Sequence, residues 1–457
     1  MAKITIESRQ RSVNPEAEEV FHRFYNAKGE LKEVRLLSGE TDYYKGAYIR
    51  TSTDHGKTWG EWETRIEDDG ARHAVLPGNE FGDEYEDWCN LGADIVDDNE
   101  NSDQVSYGLN SAPTLFHKQS GCYVCVGTSR YMMNGRKGYY QMWEDGADTI
   151  RNHAYFAFRR PDGTEVKRLF EFEEGGADFD PNNPRNPAFL DKNRAYPDRI
   201  RILPDGDLLT VLVVNMRLCC KLAGVDVNTY FPSCPDLQNG IVVARGHWNA
   251  EKQDFEFTYS NPIVISDLQS SRGFMEPQLS ILESGRMVLV LRGSNFIYEP
   301  WNTRISPAAP SFKWYSYSDD GGRTFTPAMP WHFDTREVVY SPASISSFFR
   351  SKKNGKLYWI GNIYDDPSCV YANDPRNILQ ICQVDDTTGF LIKDTLQVID
   401  TIREGQTDVE LSNFSIVENR ETLTLELRLA KIDIDGKLQD DGFWYSEAWE
   451  YIIHFEE

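Results

Sequence analysis

A two-strand pattern recurs six times along this chain, and it constrains the fold more than any other feature. The clearest copy is 273–293, GFMEPQLSILESGRMVLVLRG. Leu279 and Ile281 alternate with polar residues, Met287–Leu291 is an apolar run, and Gly285 in Glu283-Ser284-Gly285 supplies a tight turn. The same plan reads at 112–130 (APTLFHKQSGCYVCVGTSR), 197–214 (PDRIRILPDGDLLTVLVV) and 341–361 (SPASISSFFRSKKNGKLYWIG). Weaker copies lie at 20–38 and 410–428. The copies are spaced about 65 to 95 residues apart, longer than common blade repeats, so loops must absorb the difference.

A second pattern falls between the hairpins. Residues 47–59 (AYIRTSTDHGKTW) and 313–325 (KWYSYSDDGGRTF) share S-x-D-x-G-x-T-aromatic: Ser52, Asp54, Gly56, Thr58, Trp59, and Ser318, Asp320, Gly322, Thr324, Phe325. Those residue types suit a strand running into a turn whose Asp accepts backbone N–H bonds, with an aromatic packing beneath the next strand. Degenerate versions stand at 154–166, 240–255 and 377–390, and the C-terminal WYSEAWEYIIHF either supplies a sixth outer pair or closes the ring. Six hairpins alternating with outer strand pairs make six four-stranded antiparallel sheets. The fold class expected is all-β, a six-bladed β-propeller over 1–457 with long loops at about 78–111 and 170–196. A pair of β-sandwiches is the alternative.

Composition narrows the partners. A net charge of -24 argues against nucleic acid, and an anionic ligand would need a local arginine cluster. The eight cysteines lack zinc-site spacing. Cys122 and Cys125 form a C-x-x-C inside a strand-like run, where alternation puts them on opposite faces, so all eight read as reduced and mostly buried thiols. No metal or cofactor is expected. The N-terminus has no apolar signal region and no stretch is long enough to span a bilayer, so a cytoplasmic location is expected.

In a four-stranded meander the start of strand one, the end of strand two and the start of strand three share an edge. Glu276, Arg292 and Arg376 all fall at such positions. A carboxylate beside guanidiniums is an acid-binding or acid/base site, or a surface ion pair at a sheet end.

The S-x-D-x-G-x-T-W box resembles that of the sialidase superfamily, the Asp-box or BNR-repeat propellers, and the resemblance extends over nearly the full chain. It implies that Asp54 and Asp320 hold turns on the face opposite the active site. It also implies a catalytic face with three arginines gripping a substrate carboxylate, a Tyr–Glu pair and an Asp acid/base. Glu276-Pro277-Gln278 through Arg292 looks like the family's Glu strand and its arginine, and Asp374-Pro375-Arg376 like the site of another. The first family arginine has no clear match; Arg199 and Arg130 are the candidates. Where the nucleophilic tyrosine should stand, the chain reads GQTDVELSNF, with Asp408 and Glu410. Tyr340, one blade earlier, is the substitute.

Three functions follow. The first is an exo-acting glycoside hydrolase on an acidic sugar, sialic or uronic, with Glu276 activating a tyrosine or paired with Asp408. The second is a polysaccharide lyase in which a Tyr or His, Tyr340 being a candidate, removes the proton alpha to a uronate carboxylate. The third is a non-catalytic glycan-binding propeller. In the first two, arginines meet the ligand's carboxylate; in the third, Trp and Tyr side chains stack on sugars.

Overall fold

The computed structural model describes residues 4–14, 17–26, 28–40, 43–66, 106–111, 115–132, 150–180, 182–232, 238–295, 310–404, 406, 409–432 and 446–456. Strand β1 (Ile4–Asn14) comes first in the chain but belongs to the last sheet. The first full sheet is β2 (Glu18–Tyr25), β3 (Leu31–Glu40), β4 (Tyr43–Ser52) and β5 (Glu63–Ile66). The second holds β6 (Ser106–Ser111), β7 (Leu115–His117), β8 (Cys122–Met132), β9 (Ile150–Arg159) and β10 (Glu165–Leu169). Its innermost strand is broken, since β6 and β7 both pair with β8. Part of the long loop expected over 78–111 is therefore strand. The third sheet is β11 (Ala195–Ile202), β12 (Leu208–Asn215), β13 (Asn239–Asn249) and β14 (Asp254–Tyr259). The fourth is β15 (Met275–Ile281), β16 (Met287–Arg292), β17 (Lys313–Ser318) and β18 (Met329–Pro330). The fifth is β19 (Ser347–Arg350), β20 (Leu357–Gly361), β21 (Ile378–Gln383) and β22 (Gln397–Thr401). The sixth is β23 (Glu410–Glu418), β24 (Leu425–Ile432) and β25 (Ser446–Phe455), completed by β1 along β25. This is a six-bladed β-propeller. The C-terminal strand closes the ring by accepting the N-terminal one.

The second strand of each sheet explains the continuous apolar runs. Leu208–Asn215 is buried at every position because both faces are covered by adjoining sheets, so alternation disappears; Leu425–Ile432 is equally buried but alternates, and its Glu426, Arg428 and Lys431 are paired with opposite charges. Fully burying one such Val or Leu contributes about 1.5–3 kcal/mol. One apolar cluster runs from Cys122 and Phe156 through Leu212 and Val243 to Leu289 and Trp314, joining three sheets.

The two edges of the ring differ. On one lie the short turns, such as Leu203–Asp207 and the turn at Gly285, whose φ is +85°. The S-x-D-x-G-x-T turns share that edge, because Ser318 pairs with Met287 just past the hairpin turn. In each, Asp54 or Asp320 accepts the N–H and the hydroxyl of Thr58 or Thr324, while Ser52 or Ser318 accepts the N–H of Gly56 or Gly322. These bonds hold the Asp54 carboxyl down to about 2, with the Thr58 hydroxyl the largest cause. On the other edge lie the long connections: 170–194, the insert 216–238 with its helix Met216–Ala223, 260–274, 331–346 and 362–377. Long connections on one rim mark the face where side chains converge on a ligand.

Six cysteines are described, and none of them forms a disulfide; five are buried and Cys369 is exposed. Cys122 and Cys125 face different apolar clusters, as alternation requires.

Candidate functional site

At the long-connection face the innermost strands surround a central depression of about 300 Å³. Tyr196, Asp198 and Arg199 of β11, Glu276 of β15, Ser346 before β19 and Phe414 of β23 are among the residues lining it. With His22 of β2 these residues come from five sheets, and they can meet only at the ring's axis.

Three first strands enter this face through the same irregularity. Pairing skips Asp198 and Arg199, Glu276 and Pro277, and Leu411 and Ser412, so two residues stand against one on the neighbouring strand. Such a bulge re-aims a side chain and is common beside active sites. At Glu276 the backbone is forced into the left-handed region, φ +44°, which a glutamate adopts only at a cost of about 1–3 kcal/mol. Upstream, Gly273 (φ +65°) runs against Asn239, whose carbonyl oxygen would lie 2.1 Å from an added Cβ, so the lead-in to Glu276 tolerates no side chain.

Glu276 and Arg292 meet as the edge rule requires. Arg292 Nη1 donates to Glu276 Oε1 at 2.5 Å, and its Nη2 donates to Asn373 Oδ1 at 3.2 Å. The Glu276 side chain remains 35% exposed toward the depression, while its Oε2 is a buried atom with no hydrogen-bond partner. Burial pushes its carboxyl up, but the neighbouring positive charge, that of Arg292 foremost, outweighs burial and leaves it below the ordinary value. Glu276 is thus a carboxylate at neutral pH.

Arg376 belongs to the same corner but is heavily engaged by protein acceptors. Its Nε donates to the Asn373 carbonyl at 2.8 Å, Nη1 to Glu410 at 2.9 Å and Ser412 at 3.3 Å, and Nη2 to the Ala343 carbonyl at 3.0 Å. It ties three chain segments together before it can hold a ligand. Asn373 is the hub of the corner, since its Oδ1 also accepts from Arg272 at 3.5 Å. Lys313, paired with Arg292 across the sheet, is 1% exposed.

The remaining expected residues separate. Arg199 lines the depression beside Asp198, whose carboxylate is held by Arg201 at 3.1 Å. Arg130 pairs through its backbone with Gly108 and Asn152, and its side chain lies outside the described residues, as does Asp408. Tyr340 bridges through its backbone to Phe312 and Tyr364, spanning the fourth and fifth sheets, and is not among the residues lining the depression. Sequence reading missed Asp198, Lys313, Arg272 and Asn373. Lys313 was within reach, as the first residue of the strand beside Arg292. Arg272 and Asn373 sit in connections, where no period fixes direction. Among the described residues, no group of three or more His, Cys, Asp or Glu is arranged to hold a metal, and no helix is long and apolar enough to cross a membrane.

Fold and site define a six-bladed propeller with a charged corner opening on its axial depression. No family model matches the chain, and no curated protein matches it. Among solved structures, it is similar to a protein of unknown function from Dyadobacter fermentans, at 13% identity over 99% of each chain with a TM-score of 0.52. It is more distantly similar to the NanB sialidase from Streptococcus pneumoniae, at 11% identity over 97% of this chain and 70% of that one, TM-score 0.48. The α-L-arabinanase of Penicillium chrysogenum follows at 12% identity over 97% and 98% of the chains, TM-score 0.42. At such identities likeness speaks to the fold alone.

Proposed function

We propose that this protein is a sialidase-like glycoside hydrolase that takes an acidic sugar, sialic or uronic, into the axial depression. The observation that carries this reading is Glu276: an ionised carboxylate on a strained bulge, open to a depression that Arg199 and Asp198 also line. Glu276 serves as the base that activates the attacking group. Arg199 and Arg292 meet the sugar's carboxylate as charge-assisted donors. Tyr196 and Phe414 offer ring faces to the apolar face of a pyranose. Asp198 stands as a second carboxylate in the same depression, and the pair supplies the two acidic groups that glycoside hydrolysis generally uses.

A non-catalytic glycan-binding role is the second reading. It is favoured by the engagement of Arg376 by protein acceptors on three chain segments, which suits a rigid binding rim.

The test uses fluorogenic aryl glycosides of N-acetylneuraminic and glucuronic acid, with product analysis. Released monosaccharide supports the hydrolase, and a new ultraviolet-absorbing double bond would indicate a lyase instead. Glu276→Gln should lower turnover of folded protein by about 10²–10⁴-fold, the range of a positioned base. Full activity in that variant would overturn the assignment, and binding without turnover in the native protein would establish the second reading.

A further inference from the structure

Lys313 is the one group of this corner whose burial has no place in the reading above. Its side chain is almost wholly enclosed, and Nζ donates to the main-chain carbonyls of Ser344 and, at 3.4 Å, Pro342. Those two acceptors lead directly into Ile345 and Ser346 on the wall of the depression. A neutral amine has two hydrogens, and the two carbonyls use both.

The charges around Lys313 decide which form prevails. Arg292 faces it from β16, Glu276 from β15 and Arg376 from the 362–377 connection. The segment 339–344 that carries its carbonyl partners brings only the Tyr340 phenol, and β18 brings no ionisable side chain. Burial first, then the two guanidiniums, push the Lys313 amine down to about 7, against the pull of Glu276. An anion placed beside Arg292 and Glu276 adds negative charge to this balance and shifts it toward the ammonium.

We propose that Lys313 is the proton switch of the site, uncharged when the depression is empty and charged when an anionic sugar occupies it, so that binding takes up a proton. The balance is simple: the amine takes one proton from solvent as the carboxylate enters, and releases it as the carboxylate leaves. Affinity for the anion then falls as pH rises through and above neutrality, up to tenfold per unit. This rests on the acidic-sugar reading for its ligand, but not for the state of the empty site.

Two measurements separate the proposal from that reading. In the first, N-acetylneuraminate and glucuronate are titrated calorimetrically at pH 7.5 in phosphate and in Tris. The dependence of observed heat on buffer ionisation heat counts protons. Native protein should take up roughly half a proton or more per ligand. Lys313→Met should bind with no uptake and with affinity flat from pH 6 to 8.5. Binding without proton uptake in the native protein, or equal uptake in Lys313→Met, overturns the switch. In the second, lysine side-chain NMR follows the ligand-free protein, with the Lys313 signal assigned by its loss in the variant. A midpoint near neutrality is expected, and a Lys313 that stays charged past pH 9 overturns the proposal. If neither sugar binds while the midpoint is near neutrality, the acidic-sugar reading fails and the empty-site half of the proposal stands.

Discussion

The ring is closed by charge as well as by strand pairing, and deleting Glu33 tests how much. Glu33 on β3 is completely buried. It accepts from Arg11 of β1 at 2.5 and 3.0 Å, from Arg23 of β2 at 2.7 Å and from Arg50 of β4 at 2.8 Å. Arg23 also donates to Glu426 of β24 at 2.7 Å, and Arg428 donates to Glu426 and to Glu450 of β25 at 2.7 and 2.5 Å. The network therefore crosses the seam between the first and last sheets. Glu33→Gln keeps the shape, removes the charge and leaves three guanidiniums facing an amide. Breaking a buried ion pair costs about 3–5 kcal/mol. Arg11 and Arg50 are partly open to water and can relax, whereas Arg23 cannot, so a loss of about 3–4 kcal/mol is expected. That is a large share of the roughly 5–15 kcal/mol by which a domain is stable. Urea unfolding followed by tryptophan fluorescence reads the midpoint, and hydrogen exchange locates the damage in β1, β24 and β25. The surface pair of Glu7 with His454 supplies the control, and Glu7→Gln should change nothing measurable. A Glu33→Gln midpoint within about 1 kcal/mol of the native one, or exchange that rises equally in β15 and β16, would refute the reasoning.

Acid should open the same seam. Burial raises the carboxyls of Glu33, Glu426 and Glu450, and the surrounding arginines outweigh it and hold all three below their ordinary value. Their contribution is present above the unfolded carboxylate value and is lost as pH falls through the folded ones, so stability should erode below about pH 5, less steeply in Glu33→Gln. Asp54→Ala and Asp320→Ala should lower the melting temperature while leaving turnover of folded protein unchanged; lost activity at unchanged melting temperature would contradict their placement opposite the depression. Arg376→Ala should destabilise the protein by about 2–4 kcal/mol, because Glu410 and two carbonyls lose a partly buried donor, and a variant with native stability but abolished binding would show the arginine to be a ligand group instead.

How far the chain could be read before its structure was known follows from what is local. The hairpins at 197–214 and 273–293 and the box turns at Asp54 and Asp320 depend on nearest neighbours, on strand period and on turn chemistry, so their residues announce them. Counting them was enough to give six sheets, and antiparallel pairing was enough to put Glu276 beside Arg292. Which strands join across the ends was not local. β1 pairs with β25 at a separation of more than 430 residues, and no period in either strand names the other. The same holds for the seam charges, and for the corner where Arg272, Asn373 and Arg376 meet from separate connections. Irregular connections carry no repeat that fixes direction, so only closure of the ring decides which of their side chains face one another. It also decides that Lys313, in the sequence only the first residue of a strand, is sealed from water beside Arg292.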